Sequence, residues 1–454
     1  MSAGVLARCA VPLLSLAPLL LAGTAFANGA FETYGADARS RGMAHADVAL
    51  PDIAAAHTNP AALGLAASEL AIAVSYSLDV PALEIALGAG RAVDDPLAPA
   101  RPPAVSALNL AATQPIDLVG EDRLFVGAAA YFPTSVLVRA RAFDPARPFF
   151  AMYDSATEHY DVSVGAGLRL VDWLHLGAGL RLAAGQRGDV QLAVDPVRGR
   201  LVQQSMDTFQ YPTTAPVAGI VVGPLGVDDV ARVSVGAVWR EPIAFDVALP
   251  ATLIIEGADI DAVLDVLVLA NYQPRSLTTG AALWAARGVL VDVEAQWAMW
   301  SAAPPPMLVT RVDLGGDGLE ALGLDATLDA PADGQERVRS PGYVDTVVWR
   351  VGVEWQALVP LVLRAGYQYR PTPVPDQASG TNIVDANAHV LALGAGVTMR
   401  LPHVFNQPIT AEVGYQAQIL EERTATKTNP QDEIGDWVAR GVVHALALGW
   451  TYRF

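Results

Sequence analysis

The chain is poor in the residues on which several kinds of chemistry depend. Of its 454 residues only one is a cysteine, Cys9, and its single lysine is Lys427. Because Cys9 lies in an N-terminal stretch that we expect to be removed, the mature chain has no disulfide, reactive thiol or cysteine metal ligand. Basic residues number 29 against 47 acidic ones, a net charge of −18, which argues against nucleic acid as a partner.

Long apolar runs are also missing, although 52% of the residues are hydrophobic. Beyond residue 27, no apolar run is long enough to cross a bilayer as a helix. A hydrophobic chain without such helices can cross a membrane only as a closed barrel, in which every backbone group is paired. If this chain spans a membrane, it must therefore do so with strands.

Signals of catalysis or of a bound cofactor are absent as well. The seven histidines lack the spacing of a metal site, and no serine lies in a nucleophile elbow. Residues 165–167, 177–179 and 394–396 each read Gly-Ala-Gly, but each lies in a predicted strand with no helix after it, unlike a dinucleotide-binding loop. We interpret them as inward-facing small residues that leave room for a plug, and we predict no enzyme activity, cofactor or metal.

Residues 1–27 have the three parts of a secretory signal peptide. Arg8 supplies the positive charge, residues 11–23 are apolar, and Ala25-Phe26-Ala27 places small residues where a signal peptidase cleaves. The apolar part is too short, and too broken by prolines, for a membrane-spanning helix. We predict cleavage after Ala27 and export of the rest.

Strict alternation of apolar and polar residues is the main positive signal. At the C-terminus the even positions from Leu446 to Phe454 are apolar or aromatic, while the odd positions are small or polar. The same pattern recurs over 289–300, 349–356, 361–370 and 409–419. A soluble sandwich would alternate too, but the signal peptide, the aromatic residues and the terminal Phe454 favour a transmembrane barrel. We predict an all-β fold, an antiparallel barrel of about 14 strands.

The connections between predicted strands are unequal. Tight turns at 171–173 and 358–360 suit the periplasmic end, where such barrels have short turns. Longer connections rich in proline, glycine and aspartate should be extracellular: 133–159, 301–346, 371–388 and 422–438. We further expect a short amphipathic helix within 258–272, a single strand at 188–204, and no strand between 205 and 229.

Residues 28–68 precede the first convincing strand and show no alternation. Their many alanines suit a small plug, or hatch, inside the barrel, although a disordered leader has a similar composition. The predicted organisation is therefore a signal peptide (1–27), an N-terminal hatch (28–68) and a transmembrane β-barrel with long extracellular loops (69–454).

Three ordered segments resemble one known family. They are 34–46 followed by Asn59-Pro60-Ala61, then 272–277 leading to 291–301, and finally 363–369 with 373–376 and His389. In this order they resemble the hatch, a Pro-led strand pair and a late strand–loop–strand of the FadL/TodX family, outer-membrane transporters for long-chain fatty acids and other hydrophobic compounds. The extracellular loops do not align.

The resemblance implies a function and a location. The protein would be a passive channel for hydrophobic compounds in the outer membrane of a Gram-negative bacterium, with long-chain fatty acids as the expected substrate and with loop capture, an internal pocket and hatch movement. Family members can also release substrate sideways at a kinked strand. In the hatch, Asn59 would form hydrogen bonds, Pro60 would stiffen the chain and Ala61 would allow close packing, although Asn-Pro alone also suits a simple turn. Expected partners are hydrophobic small molecules, outer-membrane lipid and lipopolysaccharide, and barrel-assembly machinery, but no nucleic acid.

Inward-facing arginines suggest a second kind of site. Arg169, Arg181, Arg350 and Arg364 fall on predicted inward faces, where a guanidinium fork could receive a fatty-acid carboxylate. Pairing with inward carboxylates is the favoured account, since an unpaired buried charge is costly. Two other functions stay open at this point: a general diffusion porin for small polar solutes, and a structural or secretion-associated barrel that transports nothing.

Overall fold

The structure, a computed structural model, describes most of the chain from residue 33 onward. The described ranges are 33–65, 70–88, 102–118, 123–135, 137, 148–150, 152–153, 159–195, 200–227, 230–255, 260–285, 288–304, 307–315, 341–378, 382–401, 405–428 and 434–454. For 184–208, 245–271 and 307–315 it describes the backbone only. The predicted signal peptide lies outside these ranges, as do residues 28–32 and 66–69 at the two ends of the predicted hatch. The predicted domain boundaries therefore stay predictions.

Strands account for most of the described residues. In chain order they are β1 (Ala71–Leu87), β2 (Val105–Ile116), β3 (Leu124–Pro133), β4 (Phe149–Phe150), β5 (Asp161–Val171), β6 (Leu174–Asp195), β7 (Arg200–Val227), β8 (Ala231–Arg240), β9 (Ile243–Ile255), β10 (Ile260–Gln273), β11 (Ser276–Ala285), β12 (Val289–Ala298), β13 (Met307–Gly315), β14 (Thr346–Leu358), β15 (Leu361–Arg370), β16 (Ile383–Val384), β17 (Ala388–Met399), β18 (Ile409–Ala425) and β19 (Trp437–Arg453).

Fourteen of these strands form a closed antiparallel barrel. The barrel strands are β1–β3, β5–β8, β11, β12, β14, β15 and β17–β19, and β19 pairs with β1 to close the ring. Closure leaves no unpaired strand edge in the wall, as a membrane requires. The prediction of a barrel of about 14 strands is confirmed.

Alternation along the strands separates two environments. On β19 the side chains of Ala445 and Ala447 are 0% exposed, whereas Leu448 and Trp450 are 43% and 50% exposed. Every second residue along the strand points outward, and large apolar side chains at these positions suit lipid as the surrounding solvent. The inner face is lined by small and polar residues.

The two ends of the barrel differ as expected. Residues 172–173 and 359–360 form two-residue turns at the end where β1 begins and β19 ends. This is the periplasmic end by the rule that periplasmic turns are short. At the opposite end β4 and β16, from two different loops, pair in parallel. Loop residues such as Phe150, Tyr153 and Trp300 form a buried cluster there with Trp437 of β19, a cap over the barrel mouth.

Several details of the predicted strands were wrong, among them the absence of a strand between 205 and 229, since β7 continues to Val227. Residues 260–273 form β10, which pairs with β9 and β13, where we expected a helix. Their run of valine, leucine and isoleucine favours a strand once neighbours are available to pair. The expected strand at 188–204 is instead part of a long hairpin, since β6 extends to Asp195 and β7 begins at Arg200.

Residues 33–65, here called the lumenal segment, pack against the inner face of the barrel. They form two short α-helices, α1 (Ala38–Gly42) and α2 (Ala55–Thr58), and a 3-10 helix at Pro60–Leu65. The Asp37 carboxylate caps α1 by accepting a 2.7 Å hydrogen bond from the amide of Ser40. Another 3-10 helix, Trp300–Ala302, follows β12. In the part of the chain described, no helix has the length and apolarity needed to cross a membrane.

Candidate functional site

Inward-facing glycines let the lumenal segment approach the wall closely. A Cβ atom added to Gly177 of β6 would lie 2.1 Å from the amide nitrogen of Ala61, and one on Gly414 of β18 would lie 2.2 Å from the carbonyl oxygen of Ala38. Comparable approaches occur at other glycines around the ring: Gly127, Gly167, Gly219, Gly236, Gly352, Gly366 and Gly394. The segment therefore fits the wall by shape on nearly every side.

The predicted role of the Gly-Ala-Gly triplets is confirmed for most of their glycines. Gly165, Gly167 and Gly177 border Pro60 and Ala61, and Gly394 borders Gly42 of α1. Gly179 and Gly396 instead approach only atoms of the barrel itself. The sequence identified the inward position but not which glycines meet the segment.

The first half of the segment is attached to the wall by its own charged side chains. The Arg41 guanidinium lies 2.5 Å from the Asp79 carboxylate of β1, and both side chains are 1% exposed. Arg39 contacts Asp52 within the segment at 3.2 Å and Glu354 of β14 at 3.0 Å. Sequence reasoning missed Asp79, an acid that follows Ser75 and Ser77 on the inner face of β1.

Asn59, Pro60 and Ala61 lie in the second half of the segment, which comprises residues 54–65. Asn59 is fully buried; its amide donates a 2.8 Å hydrogen bond to the carbonyl of Val48, and its side-chain oxygen accepts one of 3.1 Å from the amide of Ala61. The side chain thereby ties this half to the first. Pro60 starts the 3-10 helix, and Ala61 lies against Gly177.

Wall side chains reach the backbone of this second half. Arg169 of β5 donates to the carbonyl of Gly64 through two nitrogens, at 3.0 and 2.8 Å. Arg240 of β8 donates to the carbonyls of His57 (3.0 Å) and Thr58. His57 and Ser163 share a 3.0 Å hydrogen bond. These contacts satisfy helix-end carbonyls that would otherwise lack donors.

Between the cap and the segment lies a small polar space, the upper cavity, of about 40 Å³. Its wall includes Arg181, Arg350 and Arg370, three glutamines (Gln273, Gln296 and Gln368), and the apolar Met152 and Trp300. A space of this size holds one or two waters or a comparable polar group, and no acyl chain.

Glutamines and arginines form the polar wall through a set of direct contacts. Arg350 donates to the side-chain oxygens of Gln368 (3.0 Å) and Gln296 (2.6 Å). Arg181 pairs with Asp161 at 3.7 Å. The buried side-chain oxygen of Gln273 accepts no hydrogen bond within the described residues. Amide and guanidinium groups thus supply the polar part of the surface that faces the cavity, beside apolar residues such as Met152 and Trp300.

Arg370 connects the upper cavity to the extracellular cap. It contacts both oxygens of Asp385, at 3.2 and 3.1 Å, and donates a 2.7 Å hydrogen bond to the Tyr153 hydroxyl. Burial raises the pKa of the Tyr153 phenol and, more strongly, that of Tyr343, so both stay neutral in the cap. This contact set, absent from the predicted site, joins two loops above the cavity.

Below the segment the lumen is wider. A lower cavity of about 590 Å³ is bordered by segment residues such as Arg39 and by Glu354, Arg364 and Glu412 of the wall. Arg364 contacts Glu354 at 2.7 Å and Glu412 at 2.8 Å. A neighbouring space of about 470 Å³ shares Glu354 and adds apolar residues such as Trp284 and Leu290.

The four predicted carboxylate-binding arginines all lie on inner faces, but they do not form one site. Arg181 and Arg350 line the upper cavity, Arg364 lines the lower cavity, and Arg169 binds the end of the segment. Ion pairs with acids, the favoured account, are present for Arg181, Arg350 and Arg364. Among the described residues no group of histidine, cysteine, aspartate or glutamate is placed to hold a metal.

Sequence comparison connects the last third of the chain to known proteins. The family model described as outer membrane protein transport protein (OMPP1/FadL/TodX) matches residues 290–454. The curated alkane uptake protein A of Marinobacter nauticus is 26% identical over 114 residues, which are 25% of each chain. The chain thus matches about a quarter of the length of that relative.

Similar solved structures cover nearly the whole chain. A FadL homologue of Pseudomonas aeruginosa has a TM-score of 0.56 at 16% identity, covering 95% of this chain and 100% of its own. The toluene transporter TodX of P. putida has a TM-score of 0.54 at 12% identity, covering 92% and 98%. At these identities the likeness is one of fold. Over residues 290–454 the chain is therefore similar in sequence to the family described as outer membrane protein transport protein (OMPP1/FadL/TodX), and the whole barrel shares the fold of the FadL homologue and of TodX.

Proposed function

We propose that this protein admits long-chain fatty acids across the outer membrane by passive diffusion, with the lumenal segment acting as a hatch. The observation that best supports this proposal is the fit of the segment against glycines around the barrel wall. Together with an upper cavity of only about 40 Å³, this fit leaves no path for an acyl chain between the segment and the wall among the residues that the structure describes. Passage therefore requires the segment to move.

The route has three stages in this proposal. Apolar molecules are first captured at the extracellular cap, where aromatic and aliphatic loop residues cluster. They then meet the polar wall of the upper cavity, and displacement of the segment opens the way to the lower cavity of about 590 Å³. No energy source is needed, since the substrate moves down its gradient.

The choice of fatty acids over hydrocarbons rests on the upper cavity. Its guanidinium and amide groups offer many hydrogen-bond donors, of which a carboxylate can use several and an alkane none. The named relatives widen the choice, because one is an alkane uptake protein and another a toluene transporter. The experiment therefore compares a fatty acid with an alkane and with toluene.

Uptake in a Gram-negative host that lacks its own channel of this kind tests the proposal. Labelled oleate, hexadecane and toluene are supplied to cells with and without the protein, and with Asn59→Ala. A matched control is Gly396→Ala, whose new Cβ would meet only the ends of the Arg364 and Glu412 side chains, at 3.3 to 3.4 Å.

We expect faster oleate uptake with the protein, altered by Asn59→Ala and unchanged by Gly396→Ala. If only hexadecane or toluene enters faster, the protein is still a channel, but its substrate is a hydrocarbon and not a fatty acid. If the protein reaches the outer membrane and none of the three enters faster, the channel function is wrong. Bilayer conductance would then separate a diffusion porin, which conducts ions, from a barrel that transports nothing.

A further inference from the structure

One wall arginine lies between the upper cavity and the group that holds the lumenal segment. Arg350 of β14 borders the upper cavity and also a second space of about 30 Å³ between the wall and the segment. Its guanidinium lies 3.6 Å from the carboxylate of Glu294 on β12. Both residues are nearly fully buried, at 6% and 2% exposed.

Glu294 in turn holds the backbone of the segment. One of its carboxylate oxygens accepts hydrogen bonds from two successive amides, those of Asp47 (2.6 Å) and Val48. Hydrogen bonds to an ionised carboxylate are about twice as strong as those between neutral groups. The first half of the segment is thus attached to the wall through a buried negative charge.

The surroundings make Glu294 depend on Arg350. The ionisable groups near Glu294 and its neighbours are three further acids, Asp47, Asp52 and Asp292, and two further cations, Arg39 and Arg240. Neither carboxylate oxygen of Asp292 has a hydrogen-bond partner among the described residues. Negative groups therefore outnumber cations here, and the loss of Arg350 would leave a buried carboxylate poorly compensated.

Arg350 is held mainly by neutral groups. Its hydrogen bonds go to the amide oxygens of Gln296 and Gln368, both of which border the upper cavity, while its contact with Glu294 is longer at 3.6 Å. A ligand carboxylate in the cavity would offer a stronger, bidentate partner than either amide. Such a ligand competes for the guanidinium from the side opposite Glu294.

From this geometry we propose that Arg350 couples arrival of a carboxylate in the upper cavity to release of the lumenal segment. The ligand draws the guanidinium away from Glu294, whose carboxylate then lacks its cationic partner in a buried site. Movement of the segment opens this carboxylate to the wider lumen, so the displaced state becomes favoured. This inference rests on the proposed function and adds to it the trigger for opening.

Thiol labelling of the segment tests the coupling. Val48→Cys replaces a 2% exposed side chain at the attachment point, in a Cys9→Ser background that removes the chain's only other thiol. The purified protein is exposed to a maleimide with no ligand, with oleate, with methyl oleate or with hexadecane. We expect oleate alone to raise the labelling rate by about tenfold, within the usual range for coupling between two sites.

Two variants should differ in how much oleate they bind. Arg350→Gln should label fast without ligand, show no response to oleate and retain less labelled oleate. Glu294→Gln should also label fast without a response, yet still bind oleate, because Arg350 stays free to receive it. Arg440→Gln, which removes a 60% exposed outer-surface arginine paired with Glu84 and Glu422, is the matched control and should behave as the parent protein.

The coupling is wrong if oleate leaves the parent labelling rate unchanged, if hexadecane or methyl oleate raises it equally, or if Arg350→Gln still responds. Its failure is distinct from failure of the channel. Oleate uptake by cells without a labelling response removes the coupling alone, whereas absence of uptake for all three compounds removes the proposed function itself.

Discussion

The two halves of the lumenal segment are attached to the barrel in different ways. In the first half, ion pairs from the segment's own side chains, Arg39 to Glu354 and Arg41 to Asp79, add to the contacts that wall residues such as Glu294 and Gln416 make with the backbone. In the second half the wall reaches the segment, since Arg169 and Arg240 donate to its backbone carbonyls. Both halves rest on glycines of the strands behind them.

This difference determines what each half requires of its sequence. The first half needs particular charges at particular positions, because their partners on the wall are acids. The second half needs a backbone path and small side chains, which Pro60 and Ala61 provide against Gly177. Variants that remove a charge and variants that add a methyl group should therefore separate the two halves.

The largest effect is expected from Asp79→Leu. The substitution leaves the Arg41 guanidinium, which is 1% exposed, without its partner. Breaking a buried ion pair in this way costs about 3–5 kcal/mol of stability. The equilibrium between seated and displaced segment should shift by more than about a hundredfold, measured as the labelling rate of Val48→Cys. The double variant Arg41→Met with Asp79→Leu should recover most of the loss, and no recovery would show that the charge is not the cause.

Gly177→Ala tests whether the second half of the segment is held by its close fit to the wall. The added Cβ would lie 2.1 Å from the Ala61 amide nitrogen, so the backbone of the segment must shift. Overpacking of this kind costs about 1–3 kcal/mol, and a backbone contact points to the upper part of that range. Limited proteolysis should cleave the segment faster than in the parent, while Gly396→Ala stays at the parent rate. Equal rates for the two variants would contradict a close fit at Gly177.

Asn59→Ala removes the link between the halves. The Val48 carbonyl loses its donor and the Ala61 amide its acceptor, both in a fully buried site, at a cost of about 1–3 kcal/mol. We expect labelling of Val48→Cys to rise, since Val48 is the residue that Asn59 holds. Asn59→Asp, which retains the acceptor for Ala61 but loses the donor to Val48, should distinguish the two bonds. A rise for neither variant would mean that the halves are attached independently.

The sequence predicted the barrel because alternation over many strands is a repeated signal. It missed the barrel part of β7, where Pro212, Pro216 and Pro224 interrupt the pattern and no proline can donate to a strand ladder. It also mistook β10 for a helix, since a short apolar run fits either period until its pairing partners are known.

Inward direction was readable for the arginines, but height along the barrel was not. Alternation places all four arginines on the correct face: Arg169, Arg181, Arg350 and Arg364. Their height along the barrel axis cannot be predicted, because the predicted strand ends are uncertain by a few residues and each residue changes the height by about 3.3 Å. The structure consequently distributes them above, beside and below the segment. The Arg41–Asp79 pair was out of reach for a similar reason, since only the folded path of the segment brings the two together.

The smallest effect is expected from Arg39→Gln, and its salt dependence sharpens the comparison of the two ion pairs. Arg39 and Glu354 border the lower cavity and are 17% and 20% exposed, so solvent screens their contact more than that of Arg41 with Asp79, and its loss should cost less. Between about 0.1 M and about 1 M salt the Debye length falls from about 10 Å to about 3 Å. The labelling difference between Arg39→Gln and the parent should shrink over this range, whereas that of Asp79→Leu should persist, because salt does not reach a pair that is 1% exposed. Equal salt sensitivity of both variants would show that the first half of the segment is wetter than its side-chain burial indicates.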